Sequence, residues 1–273
     1  LLDRAQRSAP QDNRPLLGLA RVRNLEGKSE AALALLLKAR TLSPSDPAVL
    51  YALGVLCLQM DLIKDGTENL ERAAQLDPTN PVTRYALASA RIANHDFGAA
   101  VDIYRALLES DPNNAQVNYA LGATYFLQGN NGDAKRLFEK SMLLAPKQVE
   151  SLYYLGVIAG QQGDNAGSIT LLSEVIKRDS VHPRAHIALG MEYRSAGRLD
   201  DAKRELETAV RLTPDSKKAH YQLGLVLVGL KEQERGKAEL QAAERLREPT
   251  DGKVSWEIAP PPGKTNDRAS SGK

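Results

Sequence analysis

Four histidines are the first residues to test for chemistry: His95, His182, His186 and His220. His182 and His186 stand four apart, the spacing at which two imidazoles on one helical face chelate a metal. Pro183 places His182 in the turn ahead of the helix, and no nearby cysteine completes a ligand set. His186 and His220 are themselves 34 apart, which makes them equivalent members of a pattern and argues for packing. Gly156, Gly160, Gly163 and Gly167 have the density of a phosphate loop, but no strand leads into them. Gly263-Lys264-Thr265 has the end of a P-loop whose first glycine would fall at Ile258. The prolines at 260–262 deny that segment the amides that cradle phosphate. Asp200 and Asp201 lie among Arg198, Lys203 and Arg204 and read as a solvated helix start, with acid near the positive end of the dipole. Cys57, between Leu56 and Leu58, reads as a small buried hydrophobe. The expectation is a non-catalytic chain with no metal site and no cofactor.

Composition agrees. Lys plus Arg is 36 and Asp plus Glu is 34 over 273 residues, a net charge of +2, which provides no general field for nucleic acid or an anionic membrane. One cysteine excludes an intrachain disulfide framework. No apolar run approaches the roughly 18 residues of a spanning helix. Aromatics are 5% while Ala and Leu recur throughout, a bias towards close-packed helices.

The elements are set by a lattice. Pro10, Pro44, Pro78, Pro112, Pro146 and Pro214 share a spacing of 34, with Ser180 at the one vacant node. Ten residues after these nodes comes a small residue preceded by Leu, as in Leu53-Gly54, Leu87-Ala88 and Leu121-Gly122. A second small residue recurs at Ala32, Gly66, Ala100, Ala134, Ser168, Ala202 and Gly236. Four residues later stands a bulky one: Leu36, Leu70, Tyr104, Phe138, Leu172, Leu206 and Leu240. A fixed period in this range means stacked repeats, each unable to bury its apolar stripe alone.

The pattern resembles the tetratricopeptide repeat, most clearly over Leu121-Gly122, Tyr125, Ala134, Phe138 and Pro146. The fold expected is all-α, a right-handed superhelical solenoid of 34-residue helix-turn-helix repeats. Seven units are expected at 13–46, 47–80, 81–114, 115–148, 149–182, 183–216 and 217–250. Residues 1–12 read as the second-helix remnant of a truncated upstream repeat, and 251–273 as a Pro/Gly/Ser-containing tail with Trp256 and Ile258 as an apolar pair. In the fourth unit the helices are expected at Ala115 to Gln128 and Gly132 to Leu144. The Ala- and Leu-rich array has a bacterial look, and the compartment stays open.

The resemblance implies that the first helix of each unit lines a concave groove. One row there is Leu17, Tyr51, Tyr85, Tyr119, Tyr153, Ile187 and Tyr221. The candidate contacts are Tyr51, Val55, Leu58, Tyr85, Ser89, Ile92, Tyr119, Ala123, Phe126, Tyr153, Val157, Met191, Arg194, Tyr221 and Leu225. Charge falls towards the ends of the rows, with Arg14 and Arg21 at one and Arg184, Arg194 and Lys218 at the other. The expected partner is a protein or peptide segment with apolar anchors, with no nucleic acid and no membrane insertion. Rows of Lys, Arg and Asn that would hold a terminal carboxylate are replaced here mainly by Tyr, Val, Ala and Leu. Two alternatives stand beside this scaffold: a regulatory arm of an enzyme lying upstream of Leu1, and a subunit that self-associates end to end.

Overall fold

The structure, a computed structural model, describes residues 12–246. Within them fourteen α-helices follow one another in seven pairs. The first helices of the pairs are α1 (Arg14–Leu25), α3 (Pro47–Gln59), α5 (Pro81–Ala93), α7 (Ala115–Leu127), α9 (Val149–Gln161), α11 (Pro183–Ser195) and α13 (Lys217–Gly229). The second helices are α2 (Ser29–Leu42), α4 (Ile63–Leu76), α6 (Phe97–Ser110), α8 (Asn131–Leu144), α10 (Asn165–Arg178), α12 (Leu199–Leu212) and α14 (Gln233–Arg245). Of the second-helix remnant expected over 1–12 only Asp12 falls among the described residues, and the Trp256–Ile258 pair lies outside them.

Each boundary has a local cause. Asp46, Asn80, Asn114 and Ser216 cap first helices by accepting backbone N–H groups through their side chains, which satisfies donors a helix start leaves orphaned. Pro47, Pro81 and Pro183 occupy the first helical position, where the missing N–H costs nothing. Between the helices of each pair one residue adopts positive φ: Gly27, Asp61, His95, Gly129, Gly163, Gly197 and Lys231. These are again 34 apart, and only four are glycine. The second helices stop before the lattice prolines are reached. α4 ends at Leu76 and Pro78 follows its cap Asp77; α10 ends at Arg178 just the same, with Ser180 in the proline's place. The extended cap residue, not the proline alone, therefore ends the helix.

Small residues let the pair close. A Cβ on Gly54 would stand 2.5 Å from Leu70 Cγ, and one on Gly190 would stand 2.6 Å from Leu206 Cγ. Leu70 and Leu206 have no exposed surface, so the space a side chain would need is taken.

The chain divides into two compact units, with the boundary after Pro112. In the first, a core of Leu16, Ala20, Leu36, Val49, Leu53 and Leu56 joins the first two pairs. Leu58, Leu70, Ala86 and Ala90 then join the second pair to α5. In the second unit, α9, α11 and α13 contact one another in turn, as do successive helices along the chain. Leu152, Val175 and Ala185 form one core patch there, and Ile187, Ala209 and Ala219 the next.

Candidate functional site on the first-helix faces

In the first unit most of the expected contact residues are structural. Leu58, Ser89 and Ile92 have no exposed surface and Tyr85 has 4%. The Tyr85 ring meets Tyr104 edge-on with centroids 5.2 Å apart. The Ser89 hydroxyl lies 3.1 Å from the Tyr104 hydroxyl and donates to the Tyr85 carbonyl, so this polar pair is satisfied inside the core. Burial pushes the Tyr104 phenol well above its ordinary range. Tyr51 and Val55 are half-buried, resting on the Ala86–Ala90 patch while keeping surface outside.

In the second unit Tyr119 is 5% exposed and Ala123 is fully enclosed, so these too are packing residues. Phe126, Tyr153, Val157, Met191, Arg194 and Leu225 are half-buried, and Tyr221 is 48% exposed. Tyr221 thus keeps about half of its surface open although Tyr85 and Tyr119, in the same register, are buried.

Behind Tyr153 lies an aromatic cluster that the row positions alone do not predict. Phe138 and Tyr154 stack with centroids 5.0 Å apart and planes at 6°. Phe126 meets Tyr154 edge-on at 5.1 Å, and Tyr153 does the same at 5.0 Å. The Arg184 guanidinium lies 4.8 Å from the Tyr153 ring centre, donates to the Tyr154 hydroxyl at 3.1 Å and to Glu150 at 2.6 Å. His182 packs on Tyr153 at 5.2 Å. Its Nδ1 accepts the Ala185 N–H, capping α11, so in the neutral ring Nε2 carries the proton and faces Glu150 Oε1 at 3.4 Å. Burial would raise the Glu150 carboxyl, but His182 and the Arg184 charge outweigh it and hold it below the usual range. Burial likewise pushes the Tyr153 phenol up to about 12. Arg184 is thus tied to Glu150 and is not a free cation at the end of a groove. Glu150 and Arg184 are 34 apart; pairing charges at equivalent register positions is the signal that finds them.

His186 and His220 are structural. His186 is 5% exposed, with Nδ1 2.7 Å from Glu205 and Nε2 3.2 Å from the Ser180 carbonyl. His220 repeats this arrangement with Glu239 at 2.6 Å and the Pro214 carbonyl at 2.9 Å. Asp201 is held below the ordinary carboxylate range chiefly by its hydrogen bond from Arg198, as a solvated helix start requires.

Models of the tetratricopeptide repeat match residues 63–123 and 91–155, and another matches 150–180. A TPR repeat model matches 190–230. The chain belongs to the tetratricopeptide repeat family. Its fold is that of protein–protein interaction scaffolds in general. Among solved structures, a tetratricopeptide repeat protein from Parabacteroides merdae is similar at 17% identity and a TM-score of 0.71, over 90% of this chain and 97% of that one. The Cut9–Hcn1 hetero-tetramer of the APC/C is similar at 15% identity and a TM-score of 0.73, over 94% of this chain and 50% of that one. Both likenesses are of fold. MamA is 26% identical with a TM-score of 0.51, over 58% of this chain and 92% of that one. No curated protein is significantly similar. Among the described residues no helix is long and apolar enough to cross a membrane.

Proposed function

We propose that this tetratricopeptide repeat chain is a non-catalytic scaffold that binds a peptide or protein segment, with apolar anchors, along its first-helix faces. The observation that carries the reading is the 48% exposed Tyr221 ring in the second unit. It shares its register with Tyr153, and the half-buried Met191 and Leu225 occupy the row one helical turn on. Tyrosine supplies a large, stiff surface with a polar tip at low entropic cost, which suits an adaptable binding wall. The contact set that remains is Tyr51 and Val55 in the first unit, and Phe126, Tyr153, Val157, Met191, Arg194, Tyr221 and Leu225 in the second. Affinity purification from the native source, with the unaltered chain and with a Tyr153→Ala/Tyr221→Ala variant, tests this. A partner recovered by the first and lost by the second, with far-UV helicity retained, is the expected result. Equal recovery by both counts against the first-helix face.

A further inference from the structure

One junction in the second unit breaks the repeat lattice at three places together. Glu192 in α11 is the one charged residue at a position filled elsewhere by Val22, Leu56, Ala90, Thr124, Ile158 and Val226, of which all but Val22 are buried. Gly160 in α9 is the one residue without a side chain at a position held elsewhere by Asn24, Leu58, Ile92, Phe126, Arg194 and Val228. Ser168 in α10 replaces a residue that is otherwise Ala or Gly in every repeat. In other repeats the bulky member fills the junction: Leu58 Cδ2 lies 2.8 Å from where a Gly66 Cβ would be, and Val228 Cγ2 lies 2.8 Å from the same point at Gly236. Here that side chain is missing. A Cβ on Gly160 would collide with Glu192 Oε1 and stand 3.1 Å from Ser168 Oγ, so a carboxylate and a hydroxyl converge on the bare glycine.

Among the described residues neither acceptor has a partner. Ser168 has no exposed surface and its Oγ has no hydrogen-bond partner. Among the described residues no cation pairs with Glu192, and Arg194, two residues on, makes no ion pair with it. Burial with nothing to offset it raises the Glu192 carboxyl above its usual range. A partly desolvated carboxylate and an enclosed hydroxyl without partners each carry a cost that a charged donor would offset. Gly160 and Glu192 both retain solvent access, so the notch opens outward.

We infer that Gly160, Ser168 and Glu192 form a subsite that receives a basic side chain, Lys or Arg, of the segment bound on the first-helix face. The inference rests on the scaffold function proposed above and names the chemistry of its partner. The cation pairs with the solvent-accessible Glu192, and rotation of that carboxylate off the bare Gly160, whose missing side chain it now fills, lets one N–H donor reach the enclosed Ser168 Oγ. Arg194 and the exposed Lys218, for which the described residues provide no ion pair, disfavour basic residues elsewhere in the segment and so restrict this one to the notch.

Selection of a displayed random-peptide library on the full chain and on Glu192→Gln tests it. The expected result is a Lys or Arg at one fixed place beside apolar residues in peptides selected on the unaltered chain, and loss of that preference on E192Q with the apolar residues kept. Replacing the selected basic residue by Met should weaken binding to the unaltered chain about tenfold, and hardly weaken binding to E192Q. The first half of this comparison stands even if E192Q folds poorly. Apolar peptides selected without a basic residue, or the same preference on E192Q, overturn the subsite and leave the scaffold reading standing. No enriched peptide on the unaltered chain overturns the scaffold reading, and the subsite with it.

Discussion

Tyrosines in the same register do different work. Tyr85 and Tyr119 are 4% and 5% exposed and press on Tyr104 and on the Phe138–Tyr154 stack, whereas Tyr221 offers half its surface to solvent. Replacing Tyr85 or Tyr119 by Ala removes a ring from a filled core and should cost about 3 kcal/mol, measured as a shift in the urea unfolding midpoint. His186 provides a second residue-scale test. Burial opposes its charged form, but the hydrogen bond to Glu205 and the Ser180 carbonyl outweigh it, and both ring nitrogens face acceptors. Its pKa is therefore raised on folding. The stabilisation is complete below the unfolded histidine value of about 6.5 and is lost as pH rises through the higher folded value. Unfolding measured from pH 6 to pH 9 should show the unaltered chain losing more stability than His186→Phe. An identical pH profile in the two would remove the pair from the account.

The all-helical repeat fold was legible from the lattice, because a period of 34 is enforced by packing at every turn. In the fourth pair the observed Ala115–Leu127 and Asn131–Leu144 differ from expectation by one residue at two of the four ends. The cause of the stop was less legible: Ser180 shows that the second helix ends without proline. The left-handed turn positions were visible only where they are glycine. Asp61, His95 and Lys231 hold φ of 65°, 59° and 66° with a side chain attached, a conformation L residues enter at a cost. Changing any one of them to Gly should raise stability by about 0.5–1 kcal/mol, since relief of that strain exceeds the entropy a glycine adds to the unfolded chain. Thermal unfolding of the three single variants checks this; unchanged or lowered midpoints would mean that the side chains earn their place by contacts.

Across the molecule, register predicts which face a residue occupies but not how much of it remains uncovered. Exposure depends on the neighbouring repeat, and neighbours differ: Ala86 and Ala90 leave Tyr51 partly open, while Phe138 and Tyr154 close over Tyr119. Of the candidate set, Leu58, Tyr85, Ser89, Ile92, Tyr119 and Ala123 accordingly belong to the core; the Glu150–Arg184 pair could be found from its spacing of 34, whereas the Glu192–Gly160 relation emerges only from the three-dimensional arrangement. The scaffold account is tested most directly by calorimetric titration of a selected apolar peptide against three chains: unaltered, Tyr221→Ala, and Leu143→Ala. Leu143 is 77% exposed on the second helix α8 and serves as an apolar control off the first-helix face. The account predicts about tenfold weaker binding or more for Tyr221→Ala and no change for Leu143→Ala, with all three equally stable. Full affinity in Tyr221→Ala with a loss in Leu143→Ala would place the partner on the second helices and contradict it.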